Sequence, residues 1–270
     1  MPGPAVAILK KFGQVEDDQR YTRLVELFTD DAIYYDPFLG AQRGTAEIQK
    51  FMEHMEKVVP LAGVRFEDWQ VEADTVCGWA RWTMVVRAEH GDVPIKGQSL
   101  YRLRGDKVCF VADYLDPLAY AELRGGTLPD LRSAAGLSAS LAPPPNDGTY
   151  PALDLVRRFW KTQDAGDYTL LAPLFTDDAV FEDPMYGNMV GGKAISDFMA
   201  LMKSEMPARG VIFELVDCAG DTSVAWSQWW CHLPNGSIPG WTLHTVRGNQ
   251  FTLDADYFDT AARNALRTKS

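Results

Sequence analysis

The stretch LFTDDAVFEDP, residues 174–184, decides the fold, because a near copy, LFTDDAIYYDP, stands at residues 27–37. Each copy ends in an aspartate that precedes a proline, Asp36 and Asp183. Proline disfavours helical backbone in the residue before it, so each aspartate is predicted to lie in extended backbone at the end of a strand. Two copies of so long a pattern indicate a duplicated chain.

The repeat extends far beyond this stretch. An offset of 147 positions pairs Phe12 with Phe159 and Trp82 with Trp229, without a gap across about 70 residues. Four residues are then missing from a predicted hairpin loop in the second copy, and the offset of 143 pairs ADYLD (112–116) with ADYFD (255–259). Each copy has about 120 residues, which is too long for a solenoid repeat and sufficient for a domain. We call the two copies unit 1 and unit 2.

The segment between the copies has a different composition. It contains three consecutive prolines, 143–145, among glycine, serine and asparagine residues, which is typical of a semi-rigid linker. The sequence therefore predicts a first domain at 1–124, a linker at 125–150 and a second domain at 151–270.

Composition and charge exclude several functional classes. The 270 residues carry a net charge of −11, and nucleic acids or anionic membranes require clustered lysine and arginine instead. No apolar run approaches the roughly 20 residues of a membrane-spanning helix, and the N-terminus lacks the order of a secretory signal. The four cysteines form no CxxC pair, and no metal-ligand spacing, nucleotide-binding loop or GxSxG motif occurs. We expect a cytoplasmic protein without metal or cofactor.

The order of elements in unit 2 predicts an α+β domain. Helical spacing of apolar residues indicates a helix over 153–163, a short one over 168–175 and a third that starts near Gly192 and ends before Pro207. A short strand is predicted at 179–182. Four strands follow, over 211–216, 224–232, 241–246 and 251–258. Helices followed by an antiparallel meander favour a curved sheet whose one face is covered by the helices.

This order, with the Asp-Pro stretch before a third helix that begins after glycine, resembles the nuclear transport factor 2-like superfamily. That superfamily includes ketosteroid isomerases, SnoaL-type polyketide cyclases and limonene epoxide hydrolases. The resemblance covers both units and implies two cone-shaped domains, arranged as a pseudo-dimer within a monomer or within a higher homo-oligomer. It also implies a hydrophobic small-molecule substrate held in an apolar cavity.

The resemblance makes Asp36 and Asp183 candidate general bases, because ketosteroid isomerases use the aspartate of a similar Asp-Pro stretch. Partial burial raises the pKa of such a carboxyl towards the working pH. The alternative is structural, with each aspartate accepting hydrogen bonds from backbone N–H groups of the following loop. The isomerases' helix-1 tyrosine corresponds to Phe12 and Phe159, which have no hydroxyl, so steroid-type chemistry is not implied.

Asp113 and Asp256, in the ADYLD and ADYFD stretches, are further catalytic candidates. Limonene epoxide hydrolases carry a similar stretch on the last strand, and SnoaL-type cyclases use an aspartate in this region. Aspartate is disfavoured in strands, so one that faces an apolar cavity favours a catalytic role, with an ion pair such as Asp113–Arg81 as the alternative. Tyr101 and His244, at aligned positions, are candidates for a hydrogen-bond donor or a proton relay.

Aromatic residues crowd the predicted sheets. Strand alternation places Trp82 and Trp229 on one face of the sheets and Trp79, Trp226 and Trp230 on the opposite face. We take this second face as the one that lines the cavity. Packing within the core is the alternative for all of them. The candidate substrate-binding residues are Trp79, Arg81, Trp226, Trp230 and Tyr34.

These observations favour a cofactor-independent acid/base enzyme, an isomerase, cyclase, dehydratase or hydrolase, acting on a polyketide-, terpenoid- or steroid-like molecule in secondary metabolism. A non-catalytic binding protein or a protein-interaction module of the same fold is the alternative. Divergence between the units predicts one working site. Trp230 in place of Thr83 favours unit 1 as the open cavity, whereas His244 favours unit 2, and we give slightly more weight to unit 1.

Overall fold

The computed structural model describes residues 4–89, 91–115, 150–258 and 260. The chain divides into two compact units, Met1–Pro144 and Pro145–Ser270, which correspond to units 1 and 2. The predicted linker, 125–150, lies outside the described residues except for Tyr150, so its limits stay a prediction. The predicted pseudo-dimer arrangement also stays a prediction.

Unit 1 begins with helix α1, a 3-10 helix and a two-stranded hairpin, continues with helix α2 and ends with four long strands. Its elements are α1 (Pro4–Asp18), the 3-10 helix Tyr21–Leu27, β1 (Phe28–Asp36), β2 (Gly40–Arg43), α2 (Gly44–Leu61), β3 (Val64–Ala73), β4 (Cys77–Ala88), β5 (Gly91–Arg104) and β6 (Lys107–Leu115).

Unit 2 repeats this order. Its elements are α3 (Pro151–Asp164), two 3-10 helices (Tyr168–Leu170 and Ala172–Leu174), β7 (Phe175–Asp183), β8 (Gly187–Val190), α4 (Gly192–Ala208), β9 (Ile212–Gly220), β10 (Val224–Leu233), β11 (Gly236–Arg247) and β12 (Gln250–Phe258).

Each unit contains one six-stranded sheet, ordered β2-β1-β6-β5-β4-β3 in unit 1 and β8-β7-β12-β11-β10-β9 in unit 2. Neighbouring strands are antiparallel except for the pairs β1/β6 and β7/β12, which are parallel. The helices pack on one face of each sheet and enclose a separate hydrophobic core in each unit. The predicted α+β class is therefore confirmed for both units.

The sequence-based elements of unit 2 need three corrections. The predicted helix over 168–175 is a pair of 3-10 helices, and Pro173 in the second lacks the backbone N–H that a continuous α-helix would use. The first strand begins at Phe175, so the Thr-Asp-Asp segment belongs to it, and β8 was not predicted. Among the described residues, no helix is long and apolar enough to cross a membrane.

A tryptophan lies over a glycine at the same place in each sheet. Trp82 on β4 pairs with Gly97 on β5, and Trp229 on β10 pairs with Gly240 on β11. A Cβ atom at Gly240 would lie 2.2 Å from Cη2 of Trp229, and one at Gly97 would lie 2.0 Å from Cζ3 of Trp82. The glycines therefore let each indole lie flat across the neighbouring strand.

We predict that Gly240→Ala destabilises unit 2 by roughly 1–3 kcal/mol, because the added methyl overlaps the Trp229 indole. Denaturant unfolding of the whole chain measures the change in the free energy of unfolding. The control is Gly192→Ala in α4, whose Cβ would meet nothing closer than 3.6 Å and which should be neutral or stabilising by up to about 1 kcal/mol. Equal stability of the Gly240→Ala variant and the wild type would contradict the close approach.

Candidate functional site

Unit 2 contains a cavity of about 400 Å³ between its sheet and its helices. The wall is mainly apolar and includes four methionines from α4 and the turn after β7, Met185, Met199, Met202 and Met206. The other apolar and aromatic lining residues include Phe159, Trp160, Leu171, Phe181, Phe198, Phe213, Trp229, Ile238 and Phe258. Two acidic side chains, Asp183 and Asp256, also line the cavity.

Asp256 is held by a short hydrogen-bonded chain across three strands. The Trp229 indole Nε1–H donates to Oγ1 of Thr242 at 2.9 Å, and the Thr242 hydroxyl donates to Oδ1 of Asp256 at 2.6 Å. Thr242 and Asp256 are directly opposite each other on β11 and β12. This chain fixes one carboxyl oxygen of Asp256 against the sheet.

The surroundings of Asp256 favour its protonated form. Removal of the carboxyl from water raises its pKa well above the ordinary value, and the negative charges of Asp254 and Asp183 raise it further. The hydrogen bond from Thr242 acts in the opposite direction but is the smallest of these effects. Asp256 can therefore offer a carboxylic acid proton to a molecule in the cavity.

Asp183 and Asp36 occupy equivalent turns, and both perform the structural role that we considered for them. Oδ1 of Asp183 accepts hydrogen bonds from the backbone N–H groups of Met185 (2.7 Å) and Tyr186 (2.9 Å). Oδ1 of Asp36 accepts two such bonds at 2.8 Å in the first hairpin. Burial nevertheless raises the pKa of Asp36, against the effect of these bonds.

Unit 1 holds the equivalent acid, Asp113, with one more donor. The Trp82 indole donates to Oγ of Ser99 at 3.0 Å, and Ser99 donates to Oδ1 of Asp113 at 2.6 Å. The Tyr34 hydroxyl donates to Oδ2 of Asp113. Burial raises the pKa of Asp113 to about 7, and both hydrogen bonds limit the rise.

A second acid, Glu16 on α1, lies in the same interior. Its Oε2 accepts a hydrogen bond of 2.5 Å from the Tyr21 hydroxyl. Removal from water raises the pKa of Glu16 to about 8, and the charge of Asp113 contributes to the rise. The equivalent residue of unit 2 is Gln163, which lines the cavity.

Tyr101 and His244 face the interior at equivalent places. Tyr101 is buried, and its ring meets that of Phe12 edge to face with centroids 5.3 Å apart. His244 is fully buried, and its partner is Asp254, whose Oδ2 lies 3.0 Å from Nδ1, rather than Asp256. His244 is not among the residues that line the cavity.

The predicted face of the tryptophans is wrong. Trp82 and Trp229 belong to the interior cores, and Trp229 lines the cavity, whereas alternation along β4 and β10 places Trp79, Trp226 and Trp230 on the opposite face. Strand alternation groups residues by face but does not tell which face is covered by helices.

Arg81 shares the outer face of β4 with Trp79, and its guanidinium lies 5.6 Å from the centroid of the Trp79 ring. It therefore does not form the ion pair with Asp113 that we considered, since Asp113 is bound by Tyr34 and Ser99 inside the unit. The preference for unit 1 also loses its basis, because Trp230 does not fill the cavity of unit 2. Tyr34 faces the interior and donates to Asp113, and its role in substrate binding stays a prediction.

Sequence reasoning missed Thr242, Ser99, Glu16 and Asp254. A signal for Asp254 was present in the repeat, because unit 1 has Val111 at the equivalent position. The same comparison pairs Ala80 with Ser227 and Tyr101 with His244, so three aligned interior positions differ together between the units. Among the described residues, no group of three or more potential metal ligands is present.

Comparison with known proteins identifies the pattern twice. A family model described as a SnoaL-like domain matches residues 9–111 and again residues 156–258. No curated protein sequence matches the chain.

Three solved structures that resemble the chain each correspond to less than half of it. An NTF2-like protein from Mesorhizobium loti is 19% identical and covers 44% of this chain and 99% of its own, with a TM-score of 0.38. A protein of ketosteroid isomerase-like fold from Catenulispora acidiphila, in complex with trimethylamine, is 20% identical over 43% of this chain and 92% of its own, with a TM-score of 0.37. TerC, co-crystallised with polyporic acid, is 18% identical and covers 46% of this chain and 100% of its own, with a TM-score of 0.38.

The raised pKa of Asp113 predicts a pH-dependent stability. An acid that holds its proton more tightly in the folded state stabilises that state at low pH, and this contribution is lost as the pH rises from about 4 to about 7. Asp113→Asn removes the dependence, so its stability relative to the wild type should rise across this range by on the order of 2–4 kcal/mol. Urea unfolding of both proteins at several pH values measures this difference in the free energy of unfolding.

The matched control is Asp30→Asn, which removes an exposed carboxyl from the same unit. Its unfolding curves should follow those of the wild type at every pH. A constant difference between Asp113→Asn and the wild type from pH 4 to 7 would show that Asp113 ionises normally.

Proposed function

We propose that this protein binds a hydrophobic small molecule in unit 2 and transforms it by acid/base catalysis. The chain belongs to the SnoaL-like domain family in both of its units. The observation that carries the proposal is the 400 Å³ apolar cavity with Asp183 and Asp256 in its lining. A cavity of this size suits a small organic ligand, and a few polar groups in an apolar wall fix its orientation.

The two carboxyl groups suit opposite roles. Asp256 is kept protonated by burial and by neighbouring negative charge, so it can donate a hydrogen bond to a substrate oxygen. Asp183 is held by two backbone N–H groups, which complement a carboxylate charge, so it serves as the base. Two acids whose surroundings differ in this way form an acid/base pair.

The reaction that this pair supports is proton transfer next to a carbonyl group. Asp183 removes a proton from the carbon adjacent to the carbonyl, the electron pair moves to the oxygen, and Asp256 stabilises that oxygen with its proton. Return of a proton to a different carbon gives isomerisation, and attack of the enol carbon on a second carbonyl gives cyclisation. Neither outcome requires a redox change.

A non-catalytic binding protein is the second candidate. The turn after β7 accounts for one oxygen of Asp183 structurally, and the methionine-rich wall suits adaptable binding of apolar molecules. This candidate predicts that a ligand binds equally well when either aspartate is replaced by asparagine and that no chemistry follows.

We predict that the protein accelerates exchange of the acidic C–H protons of β-tetralone for deuterium in D2O, by roughly 10²-fold over buffer. Asp256→Asn and Asp183→Asn should each lose most of the acceleration. The rate should also fall as the pH rises through the pKa of Asp256, because the donating acid form is then lost. NMR of the ketone measures the exchange.

Asp113→Asn is the matched control, since it changes the equivalent acid of unit 1 and should leave the exchange rate as in the wild type. Binding of β-tetralone without exchange in the wild type would favour the binding protein. Loss of exchange in Asp113→Asn, with exchange kept in Asp256→Asn, would move the site to unit 1.

We also predict that Met202→Trp blocks binding, because the larger side chain occupies the cavity that Met202 lines. Affinity for β-tetralone, followed by quenching of the tryptophan fluorescence, should fall at least about tenfold, which corresponds to about 1.4 kcal/mol. Met55→Trp alters the equivalent residue of unit 1 and is the control. Unchanged affinity in Met202→Trp would place the ligand elsewhere.

A further inference from the structure

Beneath the cavity wall of unit 2, three side chains form a buried hydrogen-bonded series. Nδ1 of His244 lies 3.0 Å from Oδ2 of Asp254, and Nε2 of His244 lies 3.2 Å from Oγ of Ser227. The exposed fractions of Ser227, His244 and Asp254 are 0%, 0% and 1%. None of the three lines the cavity, so none of them contacts a ligand there directly.

The two hydrogen bonds of the series match one arrangement of its hydrogens. A carboxylate can only accept hydrogen bonds, so this arrangement has an ionised Asp254 opposite an Nδ1–H of His244. Nε2 of a neutral His244 then accepts a hydrogen bond from the Ser227 hydroxyl. The Phe251 ring packs against the imidazole with centroids 5.0 Å apart. In this state the series carries one negative charge, which resides on Asp254.

That charge lies next to the candidate acid. Asp254 and Asp256 are two residues apart on β12, so their side chains leave the same face of the sheet about 7 Å apart along the strand. Little water separates them, because Asp254 is buried and Asp256 faces an apolar cavity. A negative charge at this place opposes ionisation of Asp256.

Unit 1 lacks the whole series. Its equivalent residues are Ala80, Tyr101 and Val111, none of which is charged at neutral pH. The acid of unit 1, Asp113, instead receives a hydrogen bond from Tyr34, and the equivalent residue of unit 2 is Phe181. Unit 2 therefore lacks the donor that favours the anion and has a neighbouring acid that opposes it.

We propose that Asp254, held by His244 and Ser227, is a positioning residue that keeps Asp256 in its protonated, hydrogen-bond-donating form. Its catalytic consequence rests on the function proposed above, whereas the effect on Asp256 exists without any substrate. Other titratable or charged groups face the same cavity and remain unchanged in the test. They are Asp183 on β7, Cys231 on β10, Tyr168, Tyr186 and Arg209.

The test is a pH titration of the ligand-free protein, labelled with ¹³C at the aspartate side-chain carboxyl. The resonance of Asp256 is identified by its loss in Asp256→Asn. In Asp254→Asn, which keeps the shape and the acceptor but removes the charge, the titration midpoint of Asp256 should fall by about one pH unit or more. The Asp113 resonance in the same spectra is the internal control and should not move.

Two variants of His244 provide an independent comparison. His244→Phe removes the donor, so Asp254 takes up a proton and the midpoint of Asp256 falls. His244→Asn places an amide N–H where Nδ1–H was, so Asp254 stays ionised and the midpoint stays near that of the wild type. If Asp254→Asn does not fold, the comparison of these two His244 variants is sufficient to test whether the charge of Asp254 keeps Asp256 protonated.

An Asp256 midpoint that is the same in Asp254→Asn and His244→Phe as in the wild type would overturn the proposal. An equal fall in His244→Asn and His244→Phe would overturn it too, because general loosening of the core would then be the cause. Absence of β-tetralone exchange would refute the proposed function. The titration of Asp256 uses no ligand, so its result could still be interpreted in that case.

Discussion

A buried carboxyl group that is tied to the sheet by an indole and a hydroxyl is the interaction on which each unit depends. Trp229 reaches Thr242, and Thr242 holds Asp256. The indole can reach the hydroxyl only because Gly240 leaves the space above its strand empty. An unpaired acid inside an apolar core would be costly, and this chain of donors reduces that cost.

The two units keep this arrangement and differ in what surrounds it. In unit 1, Tyr34 also binds the acid, and Glu16 adds a second carboxyl to the interior. In unit 2, phenylalanine and glutamine occupy those two positions, and Asp254 brings a negative charge close to the acid. The acid of unit 2 lines the cavity of about 400 Å³. The two units therefore support the acid in the same way and differ in the neighbouring groups that influence its ionisation.

Much of the fold followed from internal comparison. The repeated Asp-Pro stretch, the offset of 147 and the order of helices and strands predicted two α+β domains, and the structure has one such sheet in each unit. The same comparison indicated Asp183 and Asp256, which both line the cavity. The sequence reasoning failed for Trp79 and Trp226. Alternation along a strand divides its residues between two faces but does not show which face is covered by helices.

The sequence by itself determined the duplication, the α+β class and the residue types that can transfer protons, because these depend on local pattern and on chemistry. Only the tertiary structure decided which face of each sheet is the interior, which acid lies in an open cavity and that His244 pairs with Asp254. Those features depend on contacts between strands and helices far apart in the chain. A single hydroxyl group, present in Tyr34 and absent from Phe181, then alters the hydrogen bonding of the acid without disturbing the pattern.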